Sequence, residues 1–145
     1  MPYHAPVSEM VFMMNAAAGL DAGIADGTYA DLADGMAEAT LNEAAKFAEN
    51  VIKPLNRAGD QIGSKWKDGV VTTPPGWVDA YRQFVEGGWQ SVTGSPDHGG
   101  MGLPYALASA VMETLGTANM GLTLINLLTA GAVHALEAYG TEQQK

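Results

Sequence analysis

Residues 41–55, LNEAAKFAENVIKPL, carry the spacing that decides the fold class. Their apolar side chains recur three and four positions apart, which places them on one stripe of an α-helix. Pro54 should kink or end this helix, because proline removes a backbone donor and crowds the preceding turn. We expect the helix to run from about residue 29 or 31 to residue 55 or beyond. Its predicted inner stripe is Leu41, Ala44, Ala45, Ala48, Val51, Ile52 and Leu55.

Helical spacing continues on both sides of this stretch, whereas the alternation typical of strands is scarce. Upstream, Ser8 can cap a methionine-rich helix that ends near residue 18, and a linker follows it. Downstream, a hairpin-like segment is expected around Val70 and Val71. The predicted inward-facing residues of the next two helices are Trp77, Tyr81, Phe84 and Val85, then Leu107, Val111 and Leu115. A last helix begins at Asn119, and the whole pattern predicts an all-α, up-and-down bundle of about five or six helices.

The composition limits the possible classes of function. The chain has 145 residues, of which 47% are hydrophobic, and this is enough for one domain with a core. The net charge of −9 results from 16 acids and 7 scattered bases, so we expect no nucleic-acid partner. The absence of cysteine excludes disulfides, thiolate zinc sites and a cysteine nucleophile.

One segment is apolar enough to require a test for a membrane span. Residues 114–136 contain no Asp, Glu, Lys or Arg and could cross a bilayer by their length. Glycines, two asparagines and His134 interrupt the segment, and no basic cluster flanks it. We therefore expect no membrane span but a helix that is buried on most sides. The N-terminus has no basic and apolar leader pattern, so no signal peptide is expected, and a cytoplasmic location fits the sequence.

The densest glycines lie in residues 94–104, GSPDHGGMGLP. They do not form a dinucleotide fingerprint, because Tyr105 stands where the third glycine belongs and no strand precedes the segment. No Gly-Lys-Ser or Gly-Lys-Thr follows, which excludes a P-loop. The His-Gly-Gly of residues 98–100 is similar to an esterase oxyanion loop, but the chain lacks the Gly-x-Ser-x-Gly turn.

Candidate catalytic side chains do not converge in the sequence. His4, His98 and His134 are far apart, and no metal-binding spacing occurs, so we expect no metal site. His134 lies on an apolar helix and is best interpreted as a hydrogen-bonded interior or edge residue. Glu113 and Glu137 could form an acid–base pair, but surface carboxylates are the favoured interpretation. We therefore expect no catalytic residue in this chain.

Four motifs, in order along the chain, resemble the acyl-CoA dehydrogenase family. They are GWQSV (88–92), SPDHGGMGL (95–103), METL (112–115) and YGTEQQK (139–145). PDHGG departs from the PEEYGG or PEYGG of the family but keeps both glycines. The first half of the chain is similar to a subgroup with an added N-terminal helix, which includes bacterial long-form enzymes and enzymes acting on 3-methylthiopropionyl-CoA.

The resemblance implies a domain organisation and a function. Residues 1–27 would be an extension helix and linker, and residues 28–145 would be the N-terminal α-helical domain, without the middle β-domain and the C-terminal α-domain. The parent enzyme would use FAD to oxidise the Cα–Cβ bond of an acyl-CoA to the 2-enoyl-CoA. Its catalytic glutamate and flavin contacts would lie outside this chain, and Glu113 would be structural. The resemblance places Asn126, Leu127 and Ala130 on the acyl pocket, with core packing as the alternative.

The resemblance also implies partners. These are an acyl-CoA substrate, an electron-transfer flavoprotein and further copies in a homo-oligomer. Alone, the domain should be inactive, hold no flavin firmly and self-associate through an exposed apolar face. The alternative function is a free-standing helical interaction module, in which the methionine-rich first helix and the apolar last helix form a partner groove.

Overall fold

Helices make up most of the protein. The computed structural model describes residues 3–145, and its only sheet within them is one short hairpin. The predicted all-α fold is confirmed. In chain order the elements are α1 (Val7–Ala18), α2 (Leu20–Ala25), a 3₁₀ turn (Ala30–Leu32), α3 (Met36–Phe47), a π-helical segment (Ala48–Ile52), a 3₁₀ turn (Lys53–Leu55), α4 (Asn56–Ile62), β1 (Lys65–Lys67), β2 (Val70–Thr72), α5 (Trp77–Glu86), 3₁₀ turns (Trp89–Ser91 and Pro96–His98) and α6 (Tyr105–Tyr139).

The chain enters α1 through contacts with the π-helical segment. The Glu49 carboxylate accepts the backbone N–H of Ala5 at 3.0 Å and lies 3.1 Å from Nδ1 of His4. The helix starts one residue before Ser8, and no side chain caps it, so the predicted Ser8 cap is wrong. Glu49 instead fixes the approach of the chain to the helix, which leaves Ser8 inside the first turn.

The long predicted helix starts later than expected and becomes irregular before Pro54. Its expected start at residue 29 or 31 is wrong, because Asp34 and Gly35 both adopt positive φ and α3 begins only at Met36. Before Pro54 the helix widens into a π-turn, in which the N–H of Lys53 bonds to the carbonyl of Ala48. The wider turn accommodates the proline ring, so the helical path continues into α4.

The core lies mainly between this helical path and the first half of α6. The predicted inner stripe is confirmed at Leu41, Ala44, Ala45, Ala48 and Ile52, whereas Val51 and Leu55 are half-buried. The inward-facing residues predicted for α6, Leu107, Val111 and Leu115, are also buried. In α5 the interpretation is correct for Phe84, but Tyr81 and Val85 are exposed because no element of the described chain covers that side.

Asn119 divides α6 into two halves. Its backbone, at φ −159° and ψ 89°, is not helical. Its side-chain amide donates to the carbonyl of Ile52 at 3.0 Å, and its Oδ1 accepts the N–H of Leu122 at 3.2 Å. The N–H of Asn56, which a regular α-helix would direct to Ile52, bonds to Lys53 instead. Asn119 thus pairs two backbone groups that the irregular helices leave free.

The second half of α6 differs from its prediction. It was expected to be buried on most sides, yet Leu124, Ile125, Leu127 and Leu128 are exposed. The whole helix is long and apolar enough to cross a membrane. Its first half nevertheless packs into the core, and Asn119 breaks the helix near mid-length. The expectation that the chain does not span a membrane stays a prediction.

Candidate functional site

The glycine-rich loop is a closed connection between α5 and α6. Every backbone N–H from residue 94 to residue 103 donates a hydrogen bond within the protein. The donors of Met101 and Leu103, for example, bond to the carbonyls of Ser91 and Val92 at 3.0 and 2.9 Å. A phosphate cradle or an oxyanion hole needs free donors that point at the ligand. The loop therefore serves to fold the chain back on itself and offers no anion site in this conformation.

The two candidate carboxylates have separate surroundings. Oε1 of Glu137 accepts the N–H of Ser95 at 2.7 Å, which joins the end of α6 to the glycine-rich loop. Glu113 is exposed and borders a cleft between α1 and α6, with Met10 and Met13 beside it. The geometry gives Glu137 a structural role and does not combine the two carboxylates into an acid–base pair.

Tyr3 lies close to two carboxylates. Its hydroxyl donates to the carbonyl of Thr114 at 3.0 Å. Partial burial, and then the negative charges of Glu49 and Glu113, raise the pKa of Tyr3 above its ordinary value of 10.0. The folded chain therefore holds this proton more tightly than the unfolded chain does. The resulting stabilisation is complete below the unfolded-state pKa and is lost as the pH rises through the folded-state pKa.

We expect the free energy of unfolding of Tyr3→Phe to depend less on pH in the alkaline range than that of the parent chain. The variant should lose about 1 kcal/mol at neutral pH through the missing hydrogen bond, and its free energy of unfolding should fall less than that of the parent chain above about pH 10. Urea unfolding at a series of pH values measures both effects. Tyr139→Phe, at an exposed position, is the control. Equal alkaline slopes for the parent chain and Tyr3→Phe would contradict the assignment.

His134 has hydrogen-bonding neighbours, as the sequence suggested. Its ring faces the hydroxyl of Tyr105, with the ring centroids of the two residues 5.4 Å apart. Oγ1 of Thr93 lies 3.5 Å from Nε2 of the same ring. Within residues 3–145, no group of three acidic or histidine side chains could hold a metal ion. His134 links α6 to the segment that follows α5.

The three residues assigned to the pocket lie on two different faces of α6. Asn126 and Ala130 border a cleft of about 170 Å³, together with Gln90, Met112 and Tyr105. Asn126 is only 7% exposed, and its amide lies 4.0 Å from the sulfur of Met112. Leu127 faces away from this cleft and is 63% exposed. The structure therefore brings Asn126 and Ala130 together and places Leu127 on the open side of the helix.

A continuous apolar stripe surrounds Leu127. We call it the exposed stripe: Met120, Leu124, Leu127, Leu128 and Gly131. Its members recur at intervals of three and four residues and therefore share one face of the helix. A Cβ atom on Gly131 would meet no atom within 4 Å, so that position is open to a close neighbour. Leu124 lies three positions before Leu127 and four before Leu128, so the spacing in the sequence could have grouped these leucines on one face of the helix.

The methionine-rich first helix has both buried and exposed apolar residues. Met10 and Met14 are buried in the core beside α3 and α6. Oγ1 of the buried Thr114 lies 3.4 Å from the sulfur of Met10. Phe12 and Met13 stay exposed. The first helix therefore packs two of its three methionines against its own domain.

Comparison with known proteins shows which family the chain belongs to. The family model described as "Acyl-CoA dehydrogenase, N-terminal domain" matches residues 36–145. The chain belongs to the acyl-CoA dehydrogenase family. The match begins at the first residue of α3 and includes the glycine-rich loop and all of α6.

Two curated acyl-CoA dehydrogenases are similar along nearly the whole chain. One is 3-methylmercaptopropionyl-CoA dehydrogenase of Ruegeria pomeroyi, 38% identical over 100% of this chain and 25% of its own length. The other is the broad-specificity linear acyl-CoA dehydrogenase FadE5 of Mycobacterium tuberculosis, 27% identical over 99% of this chain and 24% of its own length. The chain thus spans about a quarter of the length of these relatives.

Proposed function

We propose that this chain is the N-terminal helical domain of an FAD-dependent acyl-CoA dehydrogenase. In this proposal, residues 1–27 are an extension and residues 28–145 are the domain, and the parent enzyme oxidises an acyl-CoA to the 2-enoyl-CoA. The observation that carries the proposal is the exposed stripe, a large apolar surface on a chain that belongs to this family. Such a surface on a soluble domain marks a place where another apolar surface packs.

The exposed stripe is the part of the domain that best fits an acyl chain. An extended hydrocarbon chain needs a continuous apolar wall, and Leu124, Leu127 and Leu128 offer one. The cleft behind the stripe, at about 170 Å³, is small compared with typical ligand pockets. We assign Leu127 to direct contact with the acyl group, while Asn126 and Ala130 support the helix from the cleft side.

The residues of this chain do not fit a flavin. The backbone donors of the glycine-rich loop are already paired, and the exposed stripe has no polar group that could hold a phosphate. FAD, the electron acceptor that the oxidation requires, would therefore be held by the other domains. We expect the isolated chain to be inactive and to bind no flavin firmly.

The names of the two relatives support a class of substrate. Their names refer to 3-methylmercaptopropionyl-CoA and to linear acyl-CoAs, so we propose an acyl-CoA of modest or variable chain length as the substrate. An electron-transfer flavoprotein as the oxidant, a homo-oligomeric assembly and a cytoplasmic location complete the proposal, and they rest on family membership.

We expect Leu127→Trp to shorten the acyl chain that the parent enzyme accepts. The indole would occupy the space beside the stripe, so kcat/KM should fall about ten- to hundredfold for the longest substrates and much less for short ones. The assay is dehydrogenation of a series of linear acyl-CoAs by the whole enzyme with a dye acceptor. Phe12→Trp is the control, because residue 12 is exposed to a similar degree on α1 (67% against 63%).

Two results would count against these assignments. An equal loss for every chain length would remove Leu127 from the acyl pocket but leave the enzyme class intact. A whole enzyme that binds flavin yet oxidises no acyl-CoA would overturn the proposed function itself.

A further inference from the structure

Three methionines of α1 border one cleft. Met10, Met13 and Met14 are three and four positions apart, so their side chains share one face of the helix. All three line the cleft of about 360 Å³ between α1 and the first half of α6. Met10 and Met14 are buried, whereas Met13 is 56% exposed. The fold therefore gathers three thioether side chains around a space that a small ion can enter from solvent.

The sulfur of Met10 keeps its lone pairs available. Oγ1 of Thr114 lies 3.4 Å from this sulfur, but the single hydroxyl proton already has an acceptor in the carbonyl of Ala110 at 2.9 Å. Methionine is also unbranched and has three rotatable bonds, so small rotations can bring neighbouring sulfur atoms onto one ion. The cleft thus holds donor atoms that the packing of the helix does not use up.

The cleft carries negative charge at its rim. Glu9 borders it from α1 and Glu113 borders it from α6. Both side chains are exposed, and neither has a basic partner within 4.0 Å in the part of the chain that the structure describes. Neither α1 nor α6 contains lysine or arginine. The two carboxylates therefore attract a cation, while small apolar residues cover much of the remaining wall: Ala17, Ala18, Ala106 and Ala110.

The type of donor atom selects a soft cation. Thioether sulfur is a soft, uncharged ligand that favours Cu(I), whereas Mg²⁺, Ca²⁺ and Mn²⁺ prefer carboxylate, carbonyl and water oxygens. The expectation that the chain has no metal site rests on the spacing of its histidines and on the absence of cysteine. Methionine sulfur is a different class of ligand, and three of them meet at this cleft.

We propose that Met10, Met13 and Met14 bind one Cu(I) ion in the cleft between α1 and α6. The three thioethers form the ligand set, and Met13 completes it from the solvent side. Glu9 and Glu113 balance the charge of the ion from the rim. The site is separate from the exposed stripe of α6 and does not rest on the proposed function.

Competition with a Cu(I) chelator measures the affinity. The 145-residue chain is added to the coloured Cu(I)–bicinchoninate complex without oxygen, and the absorbance falls as the protein takes the ion. We expect one Cu(I) per chain and a dissociation constant about tenfold or more higher for Met13→Leu, because leucine keeps the volume but has no donor atom. Met120→Leu is the matched control, since Met120 is a similarly exposed methionine outside the cleft (58% against 56%).

Methyl NMR locates the ion. Ag(I), a soft monovalent cation that is stable in air, is added to the chain with ¹³C-labelled methionine methyl groups. The signals of Met10, Met13 and Met14 should shift together and saturate at one equivalent, and Zn²⁺ should leave them in place. Equal shifts at the exposed Met36 and Met120, or an equal response to Zn²⁺, would overturn the proposal. A chain that takes no Cu(I) from the chelator, or Met13→Leu that binds as tightly as Met120→Leu, would do the same.

Discussion

Replacement of Asn119 by leucine is expected to lower the free energy of unfolding by about 2–4 kcal/mol. The side chain is 1% exposed and pairs two backbone groups, the carbonyl of Ile52 and the N–H of Leu122. Leucine has a similar size but can neither donate nor accept. Both backbone groups would then stay buried without partners, at about 1–3 kcal/mol each, partly offset by added apolar contact. Urea unfolding of the purified chain measures the difference.

Asn126→Leu is the matched control for this experiment. Asn126 is also a buried asparagine of α6, but its amide has only a long contact to sulfur. The substitution leaves no backbone group unpaired, so it should cost about 1 kcal/mol or less. If Asn119→Leu costs no more than Asn126→Leu, the two hydrogen bonds of Asn119 do not have the role assigned to them.

Gly100→Ala is expected to cost about 3 kcal/mol or more, at the upper end of overpacking. A Cβ atom on Gly100 would lie 2.1 Å from the carbonyl oxygen of Gly94 and 2.2 Å from its carbonyl carbon. The obstacle is backbone, which cannot rotate away as a side chain can. The N–H of Gly102 bonds to the same Gly94 carbonyl, so any shift of the Gly94 backbone would also strain that hydrogen bond.

Gly94→Ala separates this clash from a general intolerance of the loop. A Cβ atom on Gly94 would meet its nearest neighbours at 3.6 Å, which is an ordinary contact. Neither glycine has positive φ, so backbone strain does not distinguish them. We expect Gly94→Ala to cost less than about 1 kcal/mol, as a compatible glycine replacement does. Thermal unfolding of both variants measures the difference in stability. Equal midpoints would contradict the close packing of Gly100 against the carbonyl of Gly94.

The sequence predicted the parts of the fold that depend on local spacing. The stripe from Leu41 to Ile52 is a property of residues three and four apart, and the hairpin around Val70 follows from the Asp-Gly turn at residues 68–69. The break in α6 at Asn119, where the sequence predicts the start of the last helix, also has a local cause, since asparagine is favoured at helix starts. The motifs placed the chain in its family because they combine four such local patterns.

Long-range contacts were not predictable in this way. The pairing of Asn119 with Ile52 joins residues 67 positions apart, and the Glu137 bond to Ser95 joins residues 42 positions apart. The burial of α6 was wrong in its second half because apolar composition does not reveal which surfaces are present to cover a helix. The family resemblance assigned Asn126, Leu127 and Ala130 to one pocket, whereas the helix turns Leu127 to the other side from Asn126 and Ala130.

The second half of α6 is tied down at both of its ends. At one end Asn119 bonds to Ile52, and at the other Glu137 bonds to Ser95, while the leucines between them have no cover. Folding of this domain therefore already restricts the motion of the surface that the acyl chain would meet. A ligand that binds a surface ordered in advance loses less configurational entropy on association. Discrimination between acyl chains can then depend on shape, because a wall held at two points cannot easily adjust to a poor fit.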